Sequence, residues 1–81
     1  MKYTKKSIEI VNNTWEYLEN NYKGSEITLN LLIDNILKQC DSNNCEKQSL
    51  LYLWDNYEFY NIDEYNYYKN YYKENFNIKV I

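Results

Sequence analysis

Apolar residues in the first quarter of the chain recur at the spacing of an amphipathic helix. They are separated by three or four positions, which places them on one stripe: Ile8, Val11, Trp15, Leu18 and Tyr22. Thr4 or Ser7 can cap the start of this helix, and Gly24 can supply the left-handed residue that commonly follows a helix end. The pattern predicts a first helix that ends shortly before Gly24.

Two further helices are predicted in the middle of the chain. Thr28 can cap the second helix. The broad apolar face of this helix comprises Leu29, Leu32, Ile33, Ile36, Leu37 and Cys40, and Leu31 points away from that face. The polar residues 41–44 then favour a turn, and Asn43 with Glu46 resembles a capping box that starts the third helix. This helix turns Tyr52 away from its apolar side, which carries Leu50, Leu53, Trp54 and Tyr57.

Residues 63–76 contain five tyrosines and a phenylalanine. A strand would place aromatic rings on both faces, and too little chain remains to cover both. A helix capped by Asp63 instead gathers one stripe, which consists of Tyr65, Tyr68, Tyr72 and Phe76. Tyr67 and Tyr71 widen the aromatic arc beyond the roughly 100° that a core-facing stripe needs. The sequence therefore predicts a fourth helix with more aromatic rings than its core-facing stripe can bury.

The predicted fold is all-α, with a single domain over residues 1–81. Three to four short helices with tight connections suit a small bundle with a helix-turn-helix-like core. Alternating Ile78 and Val80 can form a short C-terminal strand or pack as an extended arm. The predicted core comprises Ile8, Val11, Trp15, Leu18, Leu29, Ile33, Ile36, Leu37, Leu50, Trp54 and Tyr57, closed by Tyr65, Tyr68, Tyr72 and Phe76.

Charge is distributed unevenly along the 81 residues. The net charge is −3, but residues 41–64 carry one lysine against six acids, a local −5, whereas residues 65–81 return to +2. The middle third is therefore an acidic patch, and its later acids are Asp55, Glu58, Asp63 and Glu64.

The composition argues against an enzyme. Without histidine the commonest general base at neutral pH is missing, and a single glycine rules out a glycine-rich phosphate loop. Cys40 and Cys45 are expected to be free thiols, since two cysteines without histidine cannot complete a four-ligand zinc site by themselves. We therefore expect no catalytic residue, no cofactor and no metal.

A cytoplasmic location without membrane contact is expected. No run approaches the roughly 18 apolar residues of a membrane span. The basic start of the chain is followed by apolar residues that Glu9 and two asparagines interrupt, unlike a signal peptide.

One hypothesis is a small helix-turn-helix transcriptional regulator that binds DNA through its third helix. That helix carries three acids, Glu46, Asp55 and Glu58, against Lys47, and the chain has no arginine for bidentate contacts with guanine. Phosphate contacts depend on cationic side chains, so the charge of this helix disfavours the hypothesis.

The favoured hypothesis is a non-catalytic inhibitor that binds a host protein or nuclease complex. Surplus tyrosines are explained as core filler in a small fold with few aliphatic residues, as a partner-binding or self-association surface, or as a platform for base stacking. The sequence leaves core filler and a contact surface open, and a contact surface together with the acidic patch would suit a partner with a basic groove. A homodimer is compatible with the same surface. The candidate partner-binding residues are Tyr52, Asp55, Glu58, Asp63, Glu64, Tyr67 and Tyr71.

In size and composition the chain resembles small anti-defence proteins of phages and mobile elements, of which anti-CRISPR proteins are the best-known group. It is short, acidic, and rich in asparagine and tyrosine. The resemblance implies stoichiometric binding to a nucleic-acid-handling defence complex, with target recognition or cleavage blocked.

Overall fold

The computed structural model describes residues 3–80, and nearly three-quarters of them are helical. The four helices are α1 (Lys5–Asn21), α2 (Leu29–Gln39), α3 (Asn43–Asn56) and α4 (Ile62–Phe76). The described part of the chain contains no strand, and the predicted all-α bundle is confirmed. Over the same residues, none of the helices has the length and apolar character needed to cross a bilayer.

Short polar side chains define where the helices begin. The predicted caps Thr4 and Thr28 are confirmed, because each side chain accepts a hydrogen bond from the backbone N–H three residues later. Helix α3 is capped by Ser42 instead of the predicted Asn43, since the Ser42 hydroxyl accepts from Cys45 N at 3.1 Å. Helix α4 begins two residues earlier than predicted, with Asn61 as its cap.

The face of α1 that enters the core differs from the predicted stripe. It consists of Ser7, Ile10, Val11, Thr14 and Leu18, whereas Ile8 and Trp15 are half-buried and Tyr22 is exposed. Two small hydroxyl side chains thus replace bulky ones at the contact, and their polar groups are satisfied locally. The Thr14 hydroxyl donates to Ile10 O at 2.7 Å, and the Ser7 hydroxyl lies 2.6 Å from that of Thr4.

Small side chains let helices α1, α2 and α3 approach one another closely. Ser7 and Thr14 on α1 and Ser49 on α3 are all buried. Gln39 at the end of α2 donates a hydrogen bond from its Nε2 to the Thr14 hydroxyl at 2.7 Å. Within the described residues, extensive backbone contacts join α1, α2 and α3 to one another, and α4 takes part in none of them.

Helix α4 reaches the core through long aromatic side chains. The ring of Trp54 on α3 lies 5.4 Å from that of Tyr65 and 5.0 Å from that of Tyr72, measured between centroids. Phe59, in the connection before α4, lies 4.7 Å from the same tryptophan ring. Tyr72 is completely buried, and its hydroxyl donates to Leu50 O at 2.9 Å. Tyrosine therefore fills the space left by a helix whose backbone stands away from the others.

The predicted short C-terminal strand is absent. Asn77 adopts a left-handed conformation with φ of 55°, and Ile78 N donates to Tyr72 O at 3.2 Å, which ends α4 and turns the chain back over the bundle. Ile78 and Val80 are then buried against the core. No strand edge lies nearby for this segment to extend, because the described residues are otherwise helices and connections.

Nine of the fifteen predicted core residues are buried, and the differences arise from the rotation of the helices and from the packing of the C-terminal segment. Six of its members are only half-buried: Ile8, Trp15, Leu37, Tyr57, Tyr65 and Phe76. Six buried apolar residues lie outside the predicted list: Ile10, Leu32, Cys45, Leu53, Ile78 and Val80. Leu31, predicted to point away, packs against the core as a partly buried side chain.

Candidate functional site

The end of α3, the start of α4 and their connection contain the later acids of the patch predicted over residues 41–64. Residues 48–68 contain four acids and no lysine. Asp55, Glu58 and Asp63 are exposed. The carboxylate of Asp63 also lies in the first turn of α4, where the positive end of the helix dipole stabilises it. These three predicted residues are therefore exposed at the end of α3, in the connection and in the first turn of α4, respectively.

Glu64, a fourth predicted contact, is engaged in the start of α4. Its Oε1 accepts a hydrogen bond from Tyr60 N at 2.8 Å, and its own backbone N donates to Asn61 Oδ1 at 2.9 Å. The two bonds form a capping arrangement in which Asn61 and Glu64 satisfy backbone donors on either side of the helix start. Glu64 contributes charge to the region, but its side chain is already occupied.

Two bulky apolar residues that the sequence analysis did not select are the most exposed of the region. Tyr60 is 88% exposed and Ile62 is 66% exposed. Both lie at the α3–α4 connection, beside Glu58 and Asp63 in the sequence. Neither belongs to a helical stripe, so periodicity did not single them out. The sequence did contain one signal for their exposure, because both large apolar residues flank the turn-forming Asn61 and lie close to acidic residues.

Tyr67 lies one turn beyond Asp63 on the same side of α4 and is 58% exposed. The rings of Tyr67 and Tyr71 stack at 6.4 Å with an angle of 24° between their planes. Tyr71 is half-buried because its ring also contacts Tyr68 at 6.2 Å and Phe76 at 5.8 Å. The two rings predicted to be surplus to the core-facing stripe therefore both have intramolecular partners, although Tyr67 presents much of its surface to solvent.

Tyr52 belongs to a different face of the molecule. It lies on the side of α3 opposite Trp54, the residue that faces α4, because the two differ by two positions in a helix. Its half-buried ring packs edge-on against Tyr3 at 5.2 Å. Tyr52 therefore lies away from the predicted contacts of α4, although Asp55, three positions later on α3, is its neighbour on the helix.

We call the exposed group at the α3–α4 junction the junction surface: Glu58, Tyr60, Ile62, Asp63 and Tyr67. Burial raises the pKa of Tyr57 beneath it, and the negative charge of Glu64 raises this pKa further. Burial likewise raises the pKa of Tyr68, opposed by a hydrogen bond with the backbone of Asn30. Both phenols therefore stay neutral at physiological pH, and the surface combines apolar rings with carboxylates.

The two cysteines lie away from this surface and are free thiols. Burial, followed by hydrogen bonding with Cys45, raises the pKa of the Cys40 thiol to about 11. A thiol with such a pKa is almost entirely protonated at neutral pH and is therefore a poor nucleophile. Residues 3–80 bring together no group of three or more side chains able to hold a metal ion.

Comparison of the chain with protein-family models, with curated proteins and with solved structures found no match. Function is therefore inferred from the surface of the molecule itself.

Proposed function

We propose that the protein is a non-catalytic inhibitor that binds another protein through the junction surface. The observation that carries this proposal is the exposure of Tyr60 and Ile62, 88% and 66%, beside the exposed acids Glu58 and Asp63. Large apolar side chains held in water by a folded chain gain free energy when a partner covers them. Tyrosine suits this role because it covers a large area with few rotatable bonds.

The charge of the region selects a basic partner. Four acids and no lysine over residues 48–68 give the surface a single sign of charge, although the whole chain carries only −3. Such a surface steers association with a positively charged groove and opposes binding to acidic proteins. The apolar side chains would then supply the short-range contacts that hold the complex.

Grooves that bind nucleic acid are the most common basic grooves on proteins, because they neutralise phosphate. An acidic surface seated in such a groove competes with the nucleic acid. This chemistry agrees with the resemblance of the chain to anti-CRISPR proteins in size and composition. The proposed target is therefore a nucleic-acid-handling defence complex of the host, blocked by stoichiometric binding.

The alternative, a helix-turn-helix regulator, has one structural observation in its favour. Helices α2 and α3 are joined by three residues, Cys40 to Ser42, a length typical of helix-turn-helix units. Against it, α3 exposes Asp55 and presents Lys47 as its one cation. An electrostatically repelled recognition helix makes this the weaker candidate.

The test begins with the tagged chain, captured from its native host with the proteins that bind it, followed by reconstitution with the purified partner. We expect a nucleic-acid-binding complex whose target binding or cleavage falls as one equivalent of the protein is added. Tyr60→Ser with Ile62→Ser should weaken the complex at least tenfold, since anchor residues of interfaces each contribute more than about 1 kcal/mol.

Exposed tyrosines of α1 provide the matched control. Tyr17 and Tyr22 are 54% and 41% exposed and do not belong to the junction surface, so Tyr17→Ser with Tyr22→Ser removes apolar surface elsewhere on the molecule. This control should bind like the wild type. Equal weakening by both double variants, or a partner whose activity is unchanged at saturating inhibitor, would refute the proposal.

A further inference from the structure

Four lysines surround two adjoining surface cavities at the end of the molecule formed by the start of α3 and the end of α4. One cavity, of about 310 Å³, is lined by Lys69, Lys73 and Lys79. The next, of about 350 Å³, shares Lys73 and Lys79 and adds Lys47 from α3. We call these four residues the lysine strip.

Among residues 3–80, no acidic residue lines the two cavities of the strip. Their other lining residues are Asn70, Asn77, Leu51, Ile78 and Val80. The ion pair that the described residues contain joins Lys6 to Asp41, and none of the four lysines takes part in it. Four exposed ammonium groups that form no ion pair with a carboxylate of residues 3–80 repel one another, so an anion that bridges them is bound favourably.

Acids mark where the strip ends. Glu46 lines the cavity beyond Lys47, and Glu74 lines the cavity beyond Asn70. The positive surface is therefore a track of limited length, and it is distinct from the junction surface at the opposite end of α4.

We propose that the lysine strip binds the backbone phosphates of a single-stranded nucleic acid. Lysine is a compact point charge that binds phosphate without a fixed geometry, so the recognition is of backbone and not of base sequence. The two cavities lie side by side, which suits successive phosphates of one strand.

The neighbouring cavity favours a single strand over a duplex. It shares Asn70 with the strip and is lined by Tyr67 and Tyr71, of which Tyr67 is 58% exposed. Proteins that bind single strands combine a positive groove with aromatic rings on which unpaired bases stack. A duplex keeps its bases paired and stacked internally, so it gains nothing from this ring.

A membrane surface fits the strip less well. Stable attachment to anionic lipid needs apolar side chains that enter the bilayer in addition to the charge. The apolar residues at the strip, Ile78 and Val80, are 4% and 8% exposed and already belong to the core.

The test is fluorescence anisotropy of labelled 20-nucleotide dT and rU single strands, titrated with the full chain at several salt concentrations. Neutralising four phosphates of a single strand gives a slope of log K against log salt of about −2.8, so a tenfold rise in salt weakens binding roughly 600-fold. Lys47→Gln with Lys69→Gln and Lys79→Gln should lower the slope to about −0.7. Lys73 is retained because it lies in the last turn of α4, where a cation stabilises the helix.

The control triple variant, Lys5→Gln with Lys23→Gln and Lys38→Gln, changes the net charge equally at exposed positions outside the strip. It should keep the wild-type slope, and circular dichroism should show both variants folded. The proposal is overturned by equal loss in both variants, by tighter binding to a duplex of the same length, or by binding to phosphatidylserine vesicles but to neither oligonucleotide.

Discussion

Tyr72 is the most completely buried of the described aromatic residues. Its ring is completely buried beside Trp54, and its hydroxyl finds its one described partner in Leu50 O. Burial raises the pKa of Tyr72 well above the usual value of a phenol. The consequence is a dependence of stability on pH that appears only in alkaline solution.

We expect the free energy of unfolding to be constant through neutral pH and to fall above about pH 10. There the unfolded chain loses the Tyr72 proton and the folded chain retains it, so the unfolded state is favoured by up to about 1.4 kcal/mol per pH unit for this group. Tyr72→Phe should remove that part of the slope while costing about 0.5–1.5 kcal/mol at pH 7 through the lost hydrogen bond. Urea unfolding at pH 7, 10 and 11 measures both quantities.

Tyr60→Phe is the matched control, because it deletes the hydroxyl of a ring that is 88% exposed. It should reproduce the wild-type curve at every pH. An unchanged alkaline slope in Tyr72→Phe would show that this phenol does not govern the transition.

At the scale of the element, one hydroxyl decides where α3 begins. Ser42 adopts an extended conformation and accepts from Cys45 N, whereas Asn43 already belongs to the helix. Ser42→Ala should therefore lower the free energy of unfolding by about 1 kcal/mol, the typical value for loss of a cap. Asn43→Ala should leave it unchanged or raise it slightly, since alanine has the higher helix propensity.

Thermal and urea unfolding of the two variants distinguishes the cap seen in the structure from the one predicted by sequence. A larger loss for Asn43→Ala than for Ser42→Ala would reverse the assignment. The two residues are adjacent and both are exposed, so differences in burial do not complicate the comparison.

Periodicity predicted which segments are helical but not how the helices are rotated. The predicted stripe of α1 includes Ile8 and Trp15, which are half-buried, and omits Ser7 and Thr14, which are buried. A small residue at a helix contact gains from close approach, which no property of the isolated helix reveals. For α4 the predicted stripe is confirmed at Tyr68 and Tyr72, which are buried, whereas Tyr65 and Phe76 are half-buried.

The candidate site was predicted in part for a related reason. Acids and Tyr67 stand out in a helical pattern, but Tyr60 and Ile62 lie in or beside a connection, where no period applies. Tyr71 fell on the edge of the aromatic arc, and its half-burial depends on where Phe76 and Tyr68 point. Exposure at such an edge is set by neighbouring side chains and not by the position along the helix.

At the scale of the whole molecule, opposite charges occupy opposite ends of α4. The junction surface lies at its start, and the lysine strip lies at its end. Under the two proposals, a chain of net charge −3 would use two surfaces to bind partners of opposite sign. The two proposals share Tyr67, which belongs to the junction surface and also lines the cavity beside the lysine strip. The variants that test them change different residues, Tyr60 and Ile62 against Lys47, Lys69 and Lys79, so each proposal can fail without the other.

The C-terminal segment 77–80 closes the bundle at the same end as the lysine strip. Ile78 is 4% exposed, so Ile78→Ala should lower the free energy of unfolding by about 2–4 kcal/mol through lost burial and the cavity left behind. Urea unfolding measures this change. Lys79→Ala, the exposed neighbour, should change stability by less than about 0.5 kcal/mol.

Equal stability of the Ile78→Ala variant and the wild type would mean that the segment packs on the bundle without supporting it. Loss of stability in Lys79→Ala as large as in Ile78→Ala would point instead to the backbone of the segment.

Because α4 packs on the other helices through long aromatic side chains, the fluorescence of a tryptophan at this contact reports whether α4 is in place. The indole of Trp54 is only 7% exposed and is covered by three rings from α4 and its connection. Trp15 is half-buried, and its ring stacks on that of Tyr57. Departure of α4 from the other three helices would wet the indole of Trp54 and move its emission to longer wavelength, while Trp15 kept its surroundings. Light emitted by one side chain therefore reports the docking of a whole helix.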